Sequence, residues 1–368
     1  MSEAEQWMQV ALEAARKAFG ACHPNPAVGA IVVHDGRLVA SGHTQRPGLA
    51  HAEVMVLEAW RAVGAPLDEG TTLYVTLEPC CTHGRTPPCT EAILSSGIRR
   101  VVIAATDPNP AHGGRGFEIL REAGIDVQVG VLENEAADLN LVFNFWIQNE
   151  RPLVAAKMAM TLDGFTATRT GHSKWITGEE ARQNVAQWRR AFPAIGVGAG
   201  TVIADDPQLT SRVDGLDPWC PARFIFDRRG LCLKTPERQV FTDKWATNTF
   251  YLTSEKFIEA ASKVWSGKGV GIRAINSPDA TIELLKERGL SGLYLEGGRG
   301  LWGDFFEAKS VDYLFSYQAP KILADGQGRK GCETLQVSEM SNALHLTSLR
   351  RETFGADLLT RGFIQYPQ

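Results

Sequence analysis

Apolar and polar positions in this chain switch repeatedly between a helical and a strand period. Over residues 3–19, Trp7, Val10, Leu12, Ala14, Ala15 and Phe19 recur at helical spacing and predict an amphipathic helix. Short apolar runs at 28–33 and 38–41 read as strands, and a helix is expected from His51 to about residue 63. Strands at 71–77, 100–104 and 126–129 then alternate with helices near 90–96 and 116–123, and a last helix over 133–148 closes the series. Such alternation implies an α/β layered domain with a mixed or parallel sheet. At Asn149-Glu150-Arg151-Pro152 the proline disfavours helix in the residue before it, and a new apolar strand, 153–158, starts at once. We therefore divide the chain into domains 1–150 and 151–368. In the second, strands are expected at 194–197, 222–226, 249–252, 270–274, 292–295 and 313–317, with helices near 179–190, 254–265 and 279–288.

With 44% hydrophobic and 22% charged residues, and no apolar run of 18 or more, the chain reads as globular, with no membrane span. Its acidic start, Met1-Ser2-Glu3-Ala4-Glu5-Gln6, is unlike a secretory signal, so a cytoplasmic protein is expected. Charge separates the halves: residues 1–150 carry 10 Lys+Arg against 18 Asp+Glu, and the remainder 28 against 24. An acidic first half is a poor surface for a polyanion, which weighs against a nucleic-acid-editing enzyme. Seven cysteines are too few for a disulfide framework in a chain this long. Cys22, Cys220, Cys232 and Cys332 are scattered and read as ordinary thiols, whereas Cys80, Cys81 and Cys89 cluster.

His51-Ala52-Glu53 at the start of a helix, joined to Pro79-Cys80 and a later cysteine, matches the zinc-deaminase signature. In that chemistry one His and two Cys hold Zn²⁺, and the fourth position takes a water whose proton becomes acidic near neutral pH. A Glu two residues from the ligand His can move that proton. The available second cysteine is Cys89, at C-x8-C from Cys80. A structural site closed by Cys81 or His83 is the alternative. His34, beside Asp35-Gly36, reads as a solvated hairpin residue, and Asn25-Pro26 could be only a turn.

The second half lacks a G-x-G-x-x-G after a strand. Gly196-Val197-Gly198-Ala199-Gly200-Thr201 comes nearest, followed by a presumed loop with Asp205-Asp206-Pro207 and Arg212. A second cluster, Glu296-Gly297-Gly298-Arg299-Gly300, follows the strand at 292–295 and leads into a helical stretch. Backbone N–H groups at such turns can hold a phosphate.

Taken together these stretches resemble the bifunctional riboflavin-biosynthesis deaminase/reductase family, a diaminohydroxyphosphoribosylaminopyrimidine deaminase joined to a 5-amino-6-(5-phosphoribosylamino)uracil reductase. The first half shares His23-Pro24-Asn25-Pro26-Ala27-Val28-Gly29, Gly42-His43, the Gly84-Arg85-Thr86-Pro87-Pro88-Cys89 run and Asp107-Pro108-Asn109-Pro110. The second shares Lys157 to Gly164, Ser173-Lys174-Trp175-Ile176-Thr177, Arg189, Gly198 to Thr201, Asp205-Asp206-Pro207 and Ala319-Pro320-Lys321. The resemblance implies a cytidine-deaminase-like three-layer domain, followed by a dihydrofolate-reductase-like domain that uses NADPH. It implies His51, Cys80 and Cys89 as zinc ligands, Glu53 as proton shuttle, and Asn25, His43, Arg85, Thr86, Asp107 and Asn109 around a phosphorylated pyrimidine. Arg85 would offer its guanidinium fork to a ribose 5′-phosphate. Ala159, Trp175, Thr201, Asp205, Gly298, Arg299, Gly300, Leu301, Trp302, Gly303 and Asp304 would contact NADPH. Ser173, Arg189, Leu209, Arg212 and Glu296 would hold the reductase substrate, the two arginines as phosphate partners. A homo-oligomer assembled through the second domain is also implied. Three residues depart from the family pattern: Thr82, whose hydroxyl or the neighbouring His83 would replace a pocket histidine; Arg228, expected to face water rather than the cofactor's extra phosphate; and Pro193, in the turn before the glycine strand.

Overall fold

The computed structural model describes residues 1–110, 112–331 and 337–367. The chain separates into two compact units, Met1–Glu150 and Arg151–Gln368. In the first unit the elements are α1 (Glu3–Arg16), β1 (Gly29–His34), β2 (Arg37–His43), α2 (Ala52–Val63), β3 (Thr71–Leu77), α3 (Cys89–Ser96), β4 (Arg100–Ala105), α4 (Arg115–Glu122), β5 (Asp126–Val129), α5 (Glu133–Leu139) and α6 (Leu141–Asn149). Ser2 caps α1 reciprocally with Glu5, which fixes where that helix begins. The five strands run in the order β2-β1-β3-β4-β5; β1 pairs antiparallel with β2 and β3, and β3, β4 and β5 are parallel. Every residue of β3 is buried, as an apolar strand covered on both faces requires. Asp35 and Gly36 both take positive φ in the β1–β2 turn.

Two expectations need correction here. His34 is not solvated: its side chain is only 16% exposed, and Nδ1 lies 3.1 Å from Thr71 Oγ1. The helix expected over 133–148 is two, α5 and α6, broken at Asn140. That side chain is taken up elsewhere: it accepts from Ala27 N (2.8 Å) and donates to Ala27 O (3.0 Å).

The second unit contains β6 (Leu153–Thr161), β7 (Phe165–Ala167), α7 (Glu179–Ala191), β8 (Ala194–Gly198), α8 (Ala199–Asp205), β9 (Ala222–Asp227), α9 (Gln239–Thr242), β10 (Thr249–Thr253), α10 (Ile258–Val264), β11 (Gly271–Ala274), α11 (Pro278–Glu287), β12 (Gly292–Leu295), α12 (Arg299–Glu307), β13 (Tyr313–Ala319), β14 (Arg329–Lys330), β15 (His345–Phe354) and β16 (Asp357–Gln365). Its main sheet runs β11-β10-β9-β8-β12-β6-β13-β16-β15. The first seven strands are parallel and the last two antiparallel. Neighbouring strand residues point to opposite faces: Phe224 and Leu252 join one core layer with Leu293, Trp302 and Phe305, while Ile225 and Tyr251 join another with Val197, Phe241 and Trp265. From β8 the chain winds outward through β9, β10 and β11, then returns to place β12 between β8 and β6. A crevice beyond the carboxyl ends of β8 and β12 follows from that reversal, and ligands of open α/β sheets bind there. No helix among the described residues is long and apolar enough to cross a membrane. Cys332 lies outside the described residues.

Candidate active sites

His51 is the N-cap of α2, Cys80 follows β3, and Cys89 opens α3. A Cβ at Gly42 would lie 2.7 Å from Val56 N and 2.8 Å from Ala52 O, so β2 meets the first turns of α2 backbone to backbone. The three donors converge: His51 Nδ1 is 3.5 Å from Cys80 Sγ and 3.3 Å from Cys89 Sγ, and all three atoms lie within 4.8 Å of one another. A tetrahedral Zn²⁺ with bonds of about 2.0 Å to nitrogen and about 2.3 Å to sulfur sets its N···S edges near 3.5 Å, so the donors fit that ion. Among the described residues this group has three members. Neither proposed fourth ligand joins it, and His83 instead pairs with Glu91 at 3.2 Å on an exposed surface.

The hydrogen bonds from Cys89 and His51 hold the Cys80 thiol well below its ordinary value, and Cys89 correspondingly moves up. Glu53 sits in the first turn of α2, only 3% exposed; burial, reinforced by Cys80, pushes its carboxyl up to about 7. A carboxyl poised there can take and return a proton near neutrality.

Of the other deaminase-side residues, His43 ends β2 and the rest lie on loops. Asn25, His43, Thr86, Asp107 and Asn109 are half-buried, and Arg85 is exposed. Burial pushes Asp107 above the usual carboxylate range and His43 below the usual imidazole range. Sequence reasoning missed Glu78, which is 4% exposed and holds the 107–116 loop by its backbone. Its Oε2 accepts from Asp107 N (3.1 Å) and Gly114 N (2.9 Å), and Oε1 from Gly116 N (2.7 Å). No neighbouring residue marks it out in the sequence, since its partners lie 29 to 38 positions further on.

In the second unit a cavity of about 1640 Å³ opens over the β8–β12 crevice. That exceeds the ~300–1,000 Å³ of a single small-ligand pocket and suits a dinucleotide with a second guest. Gly198 caps α8 and Gly298 caps α12, both at the cavity wall; a Cβ at Gly198, Gly200, Gly298 or Gly300 would meet no atom within 4 Å. These turns thus present open backbone to whatever fills the crevice, as a pyrophosphate requires. Ala159, Trp175, Thr201, Asp205, Arg299, Leu301, Trp302 and Asp304 also line the cavity, as do Ser173, Arg189, Leu209, Arg212 and Glu296. Gly303 does not; it is buried within α12. Trp175 is 64% exposed, stacked by Arg182 at 4.5 Å, with its carbonyl accepting from Lys321 Nζ. A core aromatic is excluded.

Three further expectations change. Asp205 ends helix α8 rather than lying in a loop, and pairs with Lys174 at 3.1 Å. Arg189 donates to both oxygens of Glu296, at 2.5 and 2.7 Å, and to Thr210 O; this spends its fork within the protein and leaves the exposed Arg212 as the available phosphate partner. Arg228 does not simply face water, since it lines the cavity and donates to Asp304 Oδ2 at 2.7 Å. At Pro193 the turn forms, its carbonyl accepting from Ala222 N. Lys157, quoted in the sequence only as part of a run, lines the same cavity; burial holds its ammonium below the ordinary lysine value. Burial also raises Glu296, but Arg189 and Lys157 outweigh it and hold the carboxylate below its ordinary value.

Comparison with known proteins gives these two sites their class. Residues 1–105 match the cytidine and deoxycytidylate deaminase zinc-binding region, and residues 152–360 the RibD C-terminal domain. The chain is a zinc-type deaminase joined to a reductase. It is 40% identical to the riboflavin biosynthesis protein RibD of Aquifex aeolicus, over 96% of this chain and 97% of that protein, and 40% identical to RibD of Bacillus amyloliquefaciens over 96% and 94%. A Thermotoga maritima crystal structure, a diaminohydroxyphosphoribosylaminopyrimidine deaminase/5-amino-6-(5-phosphoribosylamino)uracil reductase, superposes with a TM-score of 0.79 at 36% identity, covering 99% of both chains. The chain belongs to the RibD family, the bifunctional deaminase/reductases of riboflavin biosynthesis.

Proposed function

We propose that the chain first deaminates 2,5-diamino-6-ribosylamino-4(3H)-pyrimidinone 5′-phosphate. It then reduces the ribosyl group with NADPH, giving 5-amino-6-ribitylamino-uracil 5′-phosphate. The observation that carries this reading is a three-donor His/Cys/Cys site with a buried carboxyl two residues from its histidine. His51, Cys80 and Cys89 would hold Zn²⁺, and Gly298 to Trp302 with Asp304 would hold NADPH; the ion supplies an acidified water and the cofactor a reducing equivalent. Glu53 takes two protons in turn at its carboxylate, passing the first to the pyrimidine ring nitrogen and the second to the departing ammonia. Asp107 and Asn109, on the loop that Glu78 fixes, orient the pyrimidine together with Asn25, His43 and Thr86, and Arg85 meets the phosphate.

In the second unit Arg212 anchors the same phosphate after transfer. Glu296, clamped by Arg189, accepts a ribosyl hydroxyl, while Leu209 and Ser173 shape the floor. Lys157, whose ammonium burial destabilises, gives up a proton to the ribosyl oxygen as C1′ is reduced. The test is incubation of the purified chain with the diamino pyrimidine, with and without NADPH, following ammonia and product mass. Ammonia release without NADPH, and a further gain of two hydrogens only with it, is the expected result. Reduction of the undeaminated compound would overturn the order, and absence of both changes would overturn the reading.

A further inference from the structure

We propose that Arg223 is a positioning residue of the reductase: with Asp243 and Gln239 it holds the 206–212 loop in the shape that presents Leu209 and Arg212 to the substrate. This rests on the reading that those two residues meet the reductase substrate. Asp206, Pro207, Gln208, Leu209, Thr210 and Arg212 all line the cavity, whereas Arg223 does not. The loop's shape is unfavourable by itself. Asp206 has a φ of +42° and Leu209 one of +56°, so two residues in four adopt a left-handed backbone that a Cβ disfavours, in a leucine more than in an aspartate. Leu209 is nevertheless buried, in one core cluster with Val202, Ile225 and Phe241. Such a backbone persists only where its surroundings over-determine it.

Arg223 lies on β9, on the same face as Ile225, and is wholly buried. Its Nη1 donates to Gln208 O (3.0 Å) and Asp243 Oδ2 (2.7 Å). Nη2 donates to Asp243 Oδ1 (2.9 Å), Val240 O (2.9 Å) and Trp245 O (2.7 Å), and Nε to Thr249 Oγ1 (2.9 Å). Asp243 neutralises the charge at two points, yet burying such a pair gains little stability over apolar side chains of the same volume. What the guanidinium does and an apolar side chain cannot is tie three segments together: the loop, the stretch from α9 to Trp245, and the start of β10. From α9 a second tie returns to the loop. Gln239 N donates to Asp206 Oδ1 (2.8 Å), its Nε2 donates to Asp206 O (2.8 Å), and its Oε1 accepts from Gln208 Nε2 (2.9 Å). The carbonyls of Asp206 and Gln208 are thus both anchored, between and beside the two left-handed positions. Further on, Arg189 donates to Thr210 O and Ser211 exchanges two backbone bonds with Trp219. The exposed side chain of Arg212 therefore extends from a fixed base.

The experiment compares the full wild-type chain with Gln239→Leu and with Arg223→Met/Asp243→Leu, the second removing both charges so that neither stays buried alone. Circular-dichroism melts establish folding, hydrogen exchange with mass spectrometry reads the order of the loop, and steady-state kinetics with the deaminated intermediate read its use. In Gln239→Leu, exchange over 208–212 is expected to rise roughly 5- to 140-fold, the span for two lost hydrogen bonds. The KM for the intermediate rises about 3- to 10-fold, because substrate must restore the bound shape, while kcat changes by less than about twofold. NADPH affinity and the rate of deamination stay at wild-type values. The double variant melts near the wild type yet shows at least the same rise in KM. A purely structural cluster would lower the melting temperature and leave KM where it was, which overturns the proposal. Wild-type exchange over 208–212 in the folded variants also overturns it, as does an equal loss of NADPH affinity. Gln239→Leu decides alone where the double variant does not fold. If the wild type fails to reduce the intermediate, the proposed reaction falls, while the exchange comparison still decides whether the cluster holds the loop.

Discussion

Replacing Glu78 by glutamine tests whether the deaminase pocket depends on one buried carboxylate that never touches the metal donors. The wild-type side chain accepts three backbone N–H bonds, from Asp107, Gly114 and Gly116. A glutamine amide has one oxygen; placed at the Oε2 position it retains the bonds from Asp107 and Gly114 and turns its NH₂ toward the N–H of Gly116. Leaving that buried donor unmatched costs about 1–3 kcal/mol, and losing the charge from the other two bonds about 0.5–1 kcal/mol in total. The loop should therefore open more easily by about 1.5–4 kcal/mol, which at 1.4 kcal/mol per factor of ten is roughly 10- to 700-fold faster amide exchange over 107–117. Hydrogen exchange with mass spectrometry on the full Glu78→Gln chain measures this directly. Because Asp107 and Asn109 lose their fixed positions, the Michaelis constant for deamination rises. Zinc content stays near one per chain, since none of His51, Cys80 and Cys89 lies in the 107–117 loop. Wild-type exchange across 107–117, together with an unchanged Michaelis constant, would refute the claim that Glu78 builds the pocket.

Three other outcomes follow from the same geometry. Cys89→Ala loses bound zinc and deamination while NADPH oxidation with the already deaminated intermediate persists; metal analysis and the two assays decide, and retained metal with activity sinks the ligand assignment. Arg189→Met leaves the carboxylate of Glu296, 10% exposed, without its partner, for which about 3–5 kcal/mol of destabilisation is expected, read by denaturant unfolding of the full chain. An unchanged midpoint would show the pair to be dispensable. Lys157 has a native pKa below its ordinary 10.5, so between those two values the unfolded chain binds more protons and stability rises with pH. Lys157→Met removes that rise. The variant should melt above the wild type at low pH, with the gap closing as pH climbs toward 10.5, and a pH-independent gap would contradict the assignment.

What could be read from the sequence depended on where each residue's signal originates. Buried parallel strands announce themselves as apolar runs, so the strand expected at 292–295 coincides with β12, and those at 194–197 and 249–252 differ from β8 and β10 by one residue each. The hairpin β15–β16 gave no such signal. β15 is the sheet's edge, with Thr347, Ser348, Arg350, Arg351 and Glu352 along it and a register break between Thr347 and Arg350, so no apolar alternation survives. Helix α8 was hidden because Ala-Gly-Thr-Val-Ile combines glycine with β-branched residues of low helix preference; it forms because Gly198 lies at the carboxyl end of β8 and Val202 is buried in the core.

The metal donors were legible because Zn²⁺ chemistry restricts residue type and spacing together, and the geometry at His51, Cys80 and Cys89 adds only distances. Glu78 and Arg189 were not legible in the same way. Their work is done on partners 29 to 38 and 107 positions away, and nothing local distinguishes a carboxylate that accepts three backbone bonds from one that faces solvent. The same holds for Arg228, whose neighbour Asp304 lies 76 positions on. A charged residue in a sequence declares its charge but not its counter-charge, and at both sites it is the counter-charge that decides which groups remain free to meet a substrate.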